Sequence, residues 1–193
     1  MRAVLFHPLA LYPLIAGFAA IAVLVSLRPA WPTQDLGPAA AVREGAAFDY
    51  GAVALAAAQA GPAHDMFIVR DRDVPSAVRL ARRMASVGQN APGAALTLVP
   101  EDAEAFAGRA VMAEIRYRPL PITTAEGLSL RWVGDETWVS VPTQPGEGRA
   151  QFHLPPPGAA PSGLEIRIDS TKADYAYGLE LVWLRLIPEA PPA

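Results

Sequence analysis

Between Ala3 and Leu27 the chain reads AVLFHPLALYPLIAGFAAIAVLVSL, without one charged side chain. A hydrocarbon core about 30 Å thick takes about 20 helical residues to cross, so this run is long enough to span a bilayer. Lipid offers no water to the backbone, so a lone spanning segment has to be a helix that satisfies its own N–H and C=O groups. One N-terminal transmembrane helix is therefore expected within residues 1–27, anchored by Leu14, Ile15, Phe18, Ile21, Val23, Leu24, Val25 and Leu27. Pro8 suits a first helical turn, while Pro13 predicts a kink or a later start. The rival is a cleaved secretory leader, whose apolar part runs about 7–15 residues before a small-x-small cleavage site. Here the run is longer, Ala20 and Ala22 fall inside it, and Arg28 stands where a small residue is needed. Retention is the favoured reading.

Arg2 before the run and Arg28 after it nearly balance the positive-inside count. A strand-rich remainder behind a Pro-rich tether fits export, so the C-terminal part is expected in the periplasm or outside the cell. The absence of cysteine excludes disulfides, thiolate metal sites and Cys nucleophiles. A net charge of −3 makes nucleic acid a poor partner, because its binding demands a basic face.

Residues 28–43, with prolines at 29, 32 and 38 and no apolar period, read as a semi-extended spacer. Short β-type runs follow, separated by turn chemistry. They cover residues 46–50, 66–70, 77–84 and 94–99, then 109–118, 128–133, 137–141, 151–154, 164–168 and 178–187. Only residues 101–106, EDAEAF, read as a helical turn, with acids where the helix dipole favours them. In RAVMAEIRYR (109–118), Val111, Ala113, Ile115 and Tyr117 share one face, opposite Met112, Glu114, Arg116 and Arg118. Such alternation predicts one buried and one wet face. The last run, GLELVWLRLI, is apolar on both faces and is expected to be a central strand. Gly134-Asp135-Glu136 reads as a hairpin between the runs ending at Val133 and starting at Thr137. About ten strands and no long helix predict a mainly β chain, an antiparallel β-sandwich at residues 44–188, followed by a disordered tail at 189–193.

The order EDAEAFAGRAVMAEIRYR, then TWVSVP, then YGLELVWLRLIP resembles carbohydrate-binding-module jelly rolls of the galactose-binding-like type. The resemblance spans roughly residues 44–188 and rests on pattern. It implies a jelly-roll-like fold more than a ligand, since fold does not fix function. It also directs attention to aromatic platforms for sugars. Trp132 and Trp138 flank the expected hairpin, Tyr175 and Tyr177 precede the last strand, and Arg116 or Arg131 would supply polar contacts. Large aromatics usually serve packing, so Trp138 and Trp183 read first as core side chains, with the outward platform as the alternative.

Other chemistry is thin. Asp71 and Asp73, with Asp65 or Asp169, fall short of the six or more oxygens calcium takes, so no metal or other cofactor is expected. Ser-His-Asp, HExxH, P-loop and GxGxxG patterns are absent. Glu114 and Glu180 read as solvent-facing strand residues rather than a catalytic pair. Arg70, Arg72, Arg79, Arg82 and Arg83 read as charges guarding a strand edge. The expected protein is a single-pass, membrane-anchored, noncatalytic accessory protein whose sandwich binds a protein partner or glycan. The alternatives are a subunit of a membrane complex held through its helix, and a secreted carbohydrate-binding module.

Overall fold

The computed structural model describes residues 37–83, 91–146, 148–170 and 178–190. The anchor residues Leu14, Ile15, Phe18, Ile21, Val23, Leu24, Val25 and Leu27, and also Tyr175 and Tyr177, lie outside the described residues. Among the described residues, no helix is long and apolar enough to cross a membrane.

The larger sheet is organised about β11 (Gly178–Pro188), the central strand its composition predicts. Along one side runs β6 (Val111–Pro119), with β9 (Gly148–Leu154) beyond it. The other side is shared end to end. β4 (Val74–Arg82) pairs with residues 178–181 and carries β3 (His64–Asp71) outside it. β2 (Ala47–Gly51) pairs with residues 183–186 and carries β1 (Val42–Glu44). The second sheet runs in the order β5 (Ala94–Thr97), β10 (Gly163–Asp169), β7 (Gly127–Trp132), β8 (Val139–Pro142). All of these strand pairs are antiparallel, and β7 and β8 form the expected hairpin.

The two sheets bury one core between them. Val111, Ala113, Ile115 and Tyr117 of β6 meet Leu128, Leu130 and Trp132 of β7 and Leu164, Ile166 and Ile168 of β10 in it. A fully buried side chain of this size contributes about 1.5–3 kcal/mol through water exclusion. The expected helical turn is present as α2 (Pro100–Ala103), tightening into a 3₁₀ turn at Glu104–Phe106. Gly108 ends it with φ 65°, a conformation that costs a Cβ-bearing residue. Phe106, fully buried, lies 4.8 Å from Phe48 and 5.7 Å from Trp132, so the turn closes one end of the core. A short helix, α1 (Ala52–Leu55), follows β2; its four residues, AVAL, have no capping signal to announce it.

One boundary differs from expectation. The spacer drawn to residue 43 ends earlier: Ala39 is buried and bonds Thr97, and Val42–Glu44 is already β1. At the other end β11 runs to Pro188, and Glu189 donates its N–H to Ala110 O. In β11 the side-chain alternation reverses. Leu181 pairs with Tyr117 but Trp183 pairs with Arg116, so Val182 is the extra residue of a β-bulge.

Candidate functional site

Polar side chains gather on the outer face of the smaller sheet. On β7 and β10 the core takes the even-numbered residues, which leaves Ser129 and Arg131 beside Glu165, Arg167 and Asp169 on the other face. Ser140 of β8 stands opposite Ser129. Arg131 holds Glu165 at 2.7 Å, and Arg167 holds Asp169 at 3.0 Å. Ser129 joins Ser140, 2.5 Å away, to the Asp169 carboxylate.

Trp138, just before β8, lies against this face. The guanidinium carbons of both Arg131 and Arg167 sit 4.3 Å from its ring centroid. Cation–π attraction at half-buried rings of this kind is worth about 0.5–2 kcal/mol each. Trp138 is thus half-buried on the polar face, not in the core, and its buried indole Nε1 has no hydrogen-bond partner among the described residues. Of the two arginines considered for a Trp138 platform, Arg131 lies beside its ring. Arg116 is elsewhere: it is exposed on the larger sheet, opposite Trp183. Trp183 is also half-buried, with Arg185 4.7 Å from its ring, because the bulge at Val182 turns it out of the core. Trp132 offers no platform. It is 1% exposed, on the core side with Leu128 and Leu130, and its Nε1 donates to Pro155 O.

Beside this face a cleft of about 610 Å³ opens where the ends of β3 and β4 meet those of β7 and β10. Its polar walls are His64, Arg82, Glu126, Ser140, Arg167 and Asp169. Arg82 donates to the Ser170 carbonyl. His64, at the start of β3, accepts the Ile168 N–H at its Nε2 (3.2 Å). Burial, reinforced by Arg82 and Arg167, pushes the His64 imidazole down to about 4, so it is neutral at physiological pH. In the sequence His64 stands in GPAHD, a turn-like stretch with no chemical motif around it. Its partner lies 104 positions away, and no local signal announces that contact.

The other sequence candidates are occupied structurally. Glu114 and Glu180 are not solvent-facing: Glu114 is buried under Arg149 at 3.0 Å, and Glu180 takes Arg79 at 2.6 Å. Asp65 pairs with Arg83, and Arg70 donates to Asp73 O, so the arginine group is dispersed into separate contacts. Among the described residues no cluster of three or more His, Asp or Glu is arranged to hold a metal.

No family model matches the chain, and no curated protein sequence matches it. Several solved structures resemble it, and two of them illustrate the likeness. One is the apo form of the BiXyn10A carbohydrate-binding module CBM1, with 9% identity and a TM-score of 0.44 over 67% of this chain and 86% of that one. The other is the N-terminal CBM22-1-CBM22-2 tandem domain of Paenibacillus barcinonensis Xyn10C, with 15% identity and a TM-score of 0.42. That match covers 84% of this chain, which spans 46% of the tandem domain.

Proposed function

We propose that this chain is a membrane-tethered, noncatalytic binding protein whose β-sandwich takes a glycan in the cleft between the ends of its two sheets. The cleft carries the reading. At about 610 Å³ it has the size of small-ligand sites, and Arg82, Glu126, Ser140, Arg167 and Asp169 offer donors and acceptors side by side. Sugar hydroxyls both donate and accept, so a mixed lining suits them. The uncharged run at residues 3–27 supports the tether, with the sandwich held on the extracytoplasmic side.

The test is calorimetric titration of the full chain, in a sugar-free detergent, against a panel of oligosaccharides. Saturable binding that Arg167→Ala weakens supports the reading; binding indifferent to that change, or none across the panel, removes it. Alkaline carbonate extraction of membranes tests the tether, and recovery of intact chain in the soluble fraction counts against it.

A protein partner is favoured by a separate observation. Val42 and Val53, 73% and 62% exposed, line with Pro75 an apolar groove of about 540 Å³ that shares no lining residue with the polar cleft. Cross-linking of the membrane-embedded chain through a photoreactive residue at position 53 tests it.

A further inference from the structure

A strand at the edge of a sheet exposes unpaired backbone groups, and natural proteins guard such edges. Among the described strands, β1 is only three residues long, and β8 is four and ends at Pro142. β5 is covered on its free side, where Gln59 and Ala39 bond Ala95 and Thr97. β9 presents Arg149, Gln151 and His153 to solvent. β3 is the exception. It runs eight residues, HDMFIVRD, with Met66, Phe67, Ile68 and Val69 unbroken in its middle. The charges near its ends are occupied, Asp65 by Arg83 and Arg70 by Asp73 O. The bulge beside it lies on β4, at Ser76, which leaves the alternation of β3 itself intact.

The ladder fixes which backbone groups are unpaired. Arg83 donates to Ala63 O at 2.8 Å, and in an antiparallel ladder bonded pairs alternate with unbonded ones. Phe67 and Val69 therefore bond β4, while Met66 and Ile68 turn their N–H and C=O groups away from it. The Met66 and Ile68 side chains still pack against the core. Among the described residues no strand lies beyond β3 to meet these outward groups. Phe67, on the other face of the sheet, is 50% exposed. A row of alternating donors and acceptors is matched by another extended backbone.

We propose that β3 pairs with β3 of a second copy of this chain, antiparallel about a two-fold axis at Phe67, joining two larger sheets into one. Self-pairing restricts the register, because only the outward groups can bond across the axis. An axis at Ile68 sets Asp65 directly against Asp71, and like charges in that position are destabilising. An axis at Met66 leaves Val69, Arg70 and Asp71 beyond the end of the second copy's β3. With the axis at Phe67, Met66 of each copy exchanges both N–H···O bonds with Ile68 of the other. Asp65 then faces Val69, Arg70 faces the neutral His64, and the two Phe67 rings lie side by side. The inference goes beyond the glycan reading and does not depend on it.

The chain has no cysteine, so single cysteines report the pairing directly. The experiment is oxidative cross-linking of the full chain in detergent micelles, with Phe67→Cys, Val69→Cys or Ile122→Cys. Across an unbonded antiparallel pair the Cα atoms are about 4.5 Å apart, within the range of about 4.4–6.8 Å that a disulfide spans. Expected is a disulfide dimer from Phe67→Cys and none from Val69→Cys, whose thiol faces Asp65, or from Ile122→Cys, at a site 92% exposed. Equal cross-linking at the three positions, or none at position 67, overturns the proposal. Hydrogen exchange of the unsubstituted chain needs no variant to fold. The Met66 and Ile68 amides should gain protection as the chain is concentrated, and Phe67→Lys, which sets like charges on the axis, should abolish that gain. A gain that survives Phe67→Lys overturns the proposal, as does a chain that sediments as a monomer throughout. A dimer in which those two amides stay unprotected is held elsewhere and overturns it as well.

Discussion

Leu181 and Leu184 enter the same core from one strand, although three positions separate them and an unbroken strand would send them to opposite faces. Val182 is the inserted residue that makes this possible. Before it the core takes Leu179 and Leu181; after it, Leu184 and Leu186. The same half-turn places Trp183 and Arg185 outside, where Arg185 also binds Asp49 at 2.6 Å and ties β11 to β2.

The bulge predicts unequal costs for neighbouring large side chains. Leu184→Ala, which opens a cavity at a site 1% exposed, is expected to cost about 2–5 kcal/mol. Trp183→Ala, at a half-buried ring, should cost about 1 kcal/mol. Deleting Val182 leaves Leu184 two positions after Leu181, so an unbulged strand still sends Leu184 and Leu186 inward, and the fold should survive the deletion at a lower cost than Leu184→Ala. Urea unfolding of the three variants, with near-ultraviolet circular dichroism of the deletion, checks the order.

Trp138 gains its position from two arginines. Replacing it with Leu keeps apolar bulk and removes both ring–guanidinium contacts, for an expected loss of about 1–2 kcal/mol. Arg131 is shared by the ring and by Glu165, so Trp138→Leu and Glu165→Gln should couple by about 0.5–3 kcal/mol rather than simply add. A double-mutant cycle by thermal unfolding measures this; simple additivity would show that the ring and Glu165 hold Arg131 independently.

These outcomes mark how far the sequence is legible. Where a strand keeps one parity, as in β6 and β10, alternation alone names the core: Val111, Ala113, Ile115 and Tyr117, then Leu164, Ile166 and Ile168. Trp132 follows the same rule, in step with Leu128 and Leu130, so its burial was available from spacing despite its place beside the hairpin. In β11 both faces are apolar, and a period-2 reading cannot detect the residue that reverses it. Trp183 therefore reads as core on size alone, as does Trp138, which stands just outside β8. Arg131 is within reach of Trp138 because β7 and β8 are neighbours in sequence. The contacts of Arg167 and His64 are not legible in this way, since both meet their partners through the pairing of distant strands.

Acid should destabilise the fold through His64. Its imidazole sits near 4 in the folded chain against an ordinary 6.5, so the unfolded chain takes up the proton first as pH falls. Stability is then full above about 6.5, declines by at most about 1.4 kcal/mol per pH unit, and has lost on the order of 3 kcal/mol near pH 4. Arg82 and Arg167 oppose protonation on the folded side and Asp169 favours it; Glu126 also faces the cleft. In His64→Gln the slope between pH 6.5 and 4.5 should shrink by that amount. Denaturant midpoints across this range, wild type against variant, read the difference even if the variant is less stable throughout.

Asp102 fastens the start of the described chain to α2, and its removal should be felt at β1. The carboxylate is 3% exposed and accepts from the Ala41 N–H at 2.9 Å, Tyr50 OH at 3.2 Å and Arg43 at 3.0 Å. Burial, with the Asp102 charge added to it, pushes the Tyr50 phenol well above its ordinary range, so the hydroxyl stays a donor. Asn in its place keeps one acceptor oxygen and turns an NH₂ toward the remaining donors. The expected cost is about 2–3 kcal/mol, that of a buried donor left facing another donor. Arg43→Ala should cost under about 1 kcal/mol, because its side chain is 53% exposed and its ion pair is screened by water. Hydrogen exchange separates the two effects. Asp102→Asn should release the Ala41 amide and, with it, the short β1 pairing to β2, while amides of β6 and β10 keep their protection. Equal loss of protection in all of these strands would mean that the clamp stabilises the whole sandwich rather than its first strand.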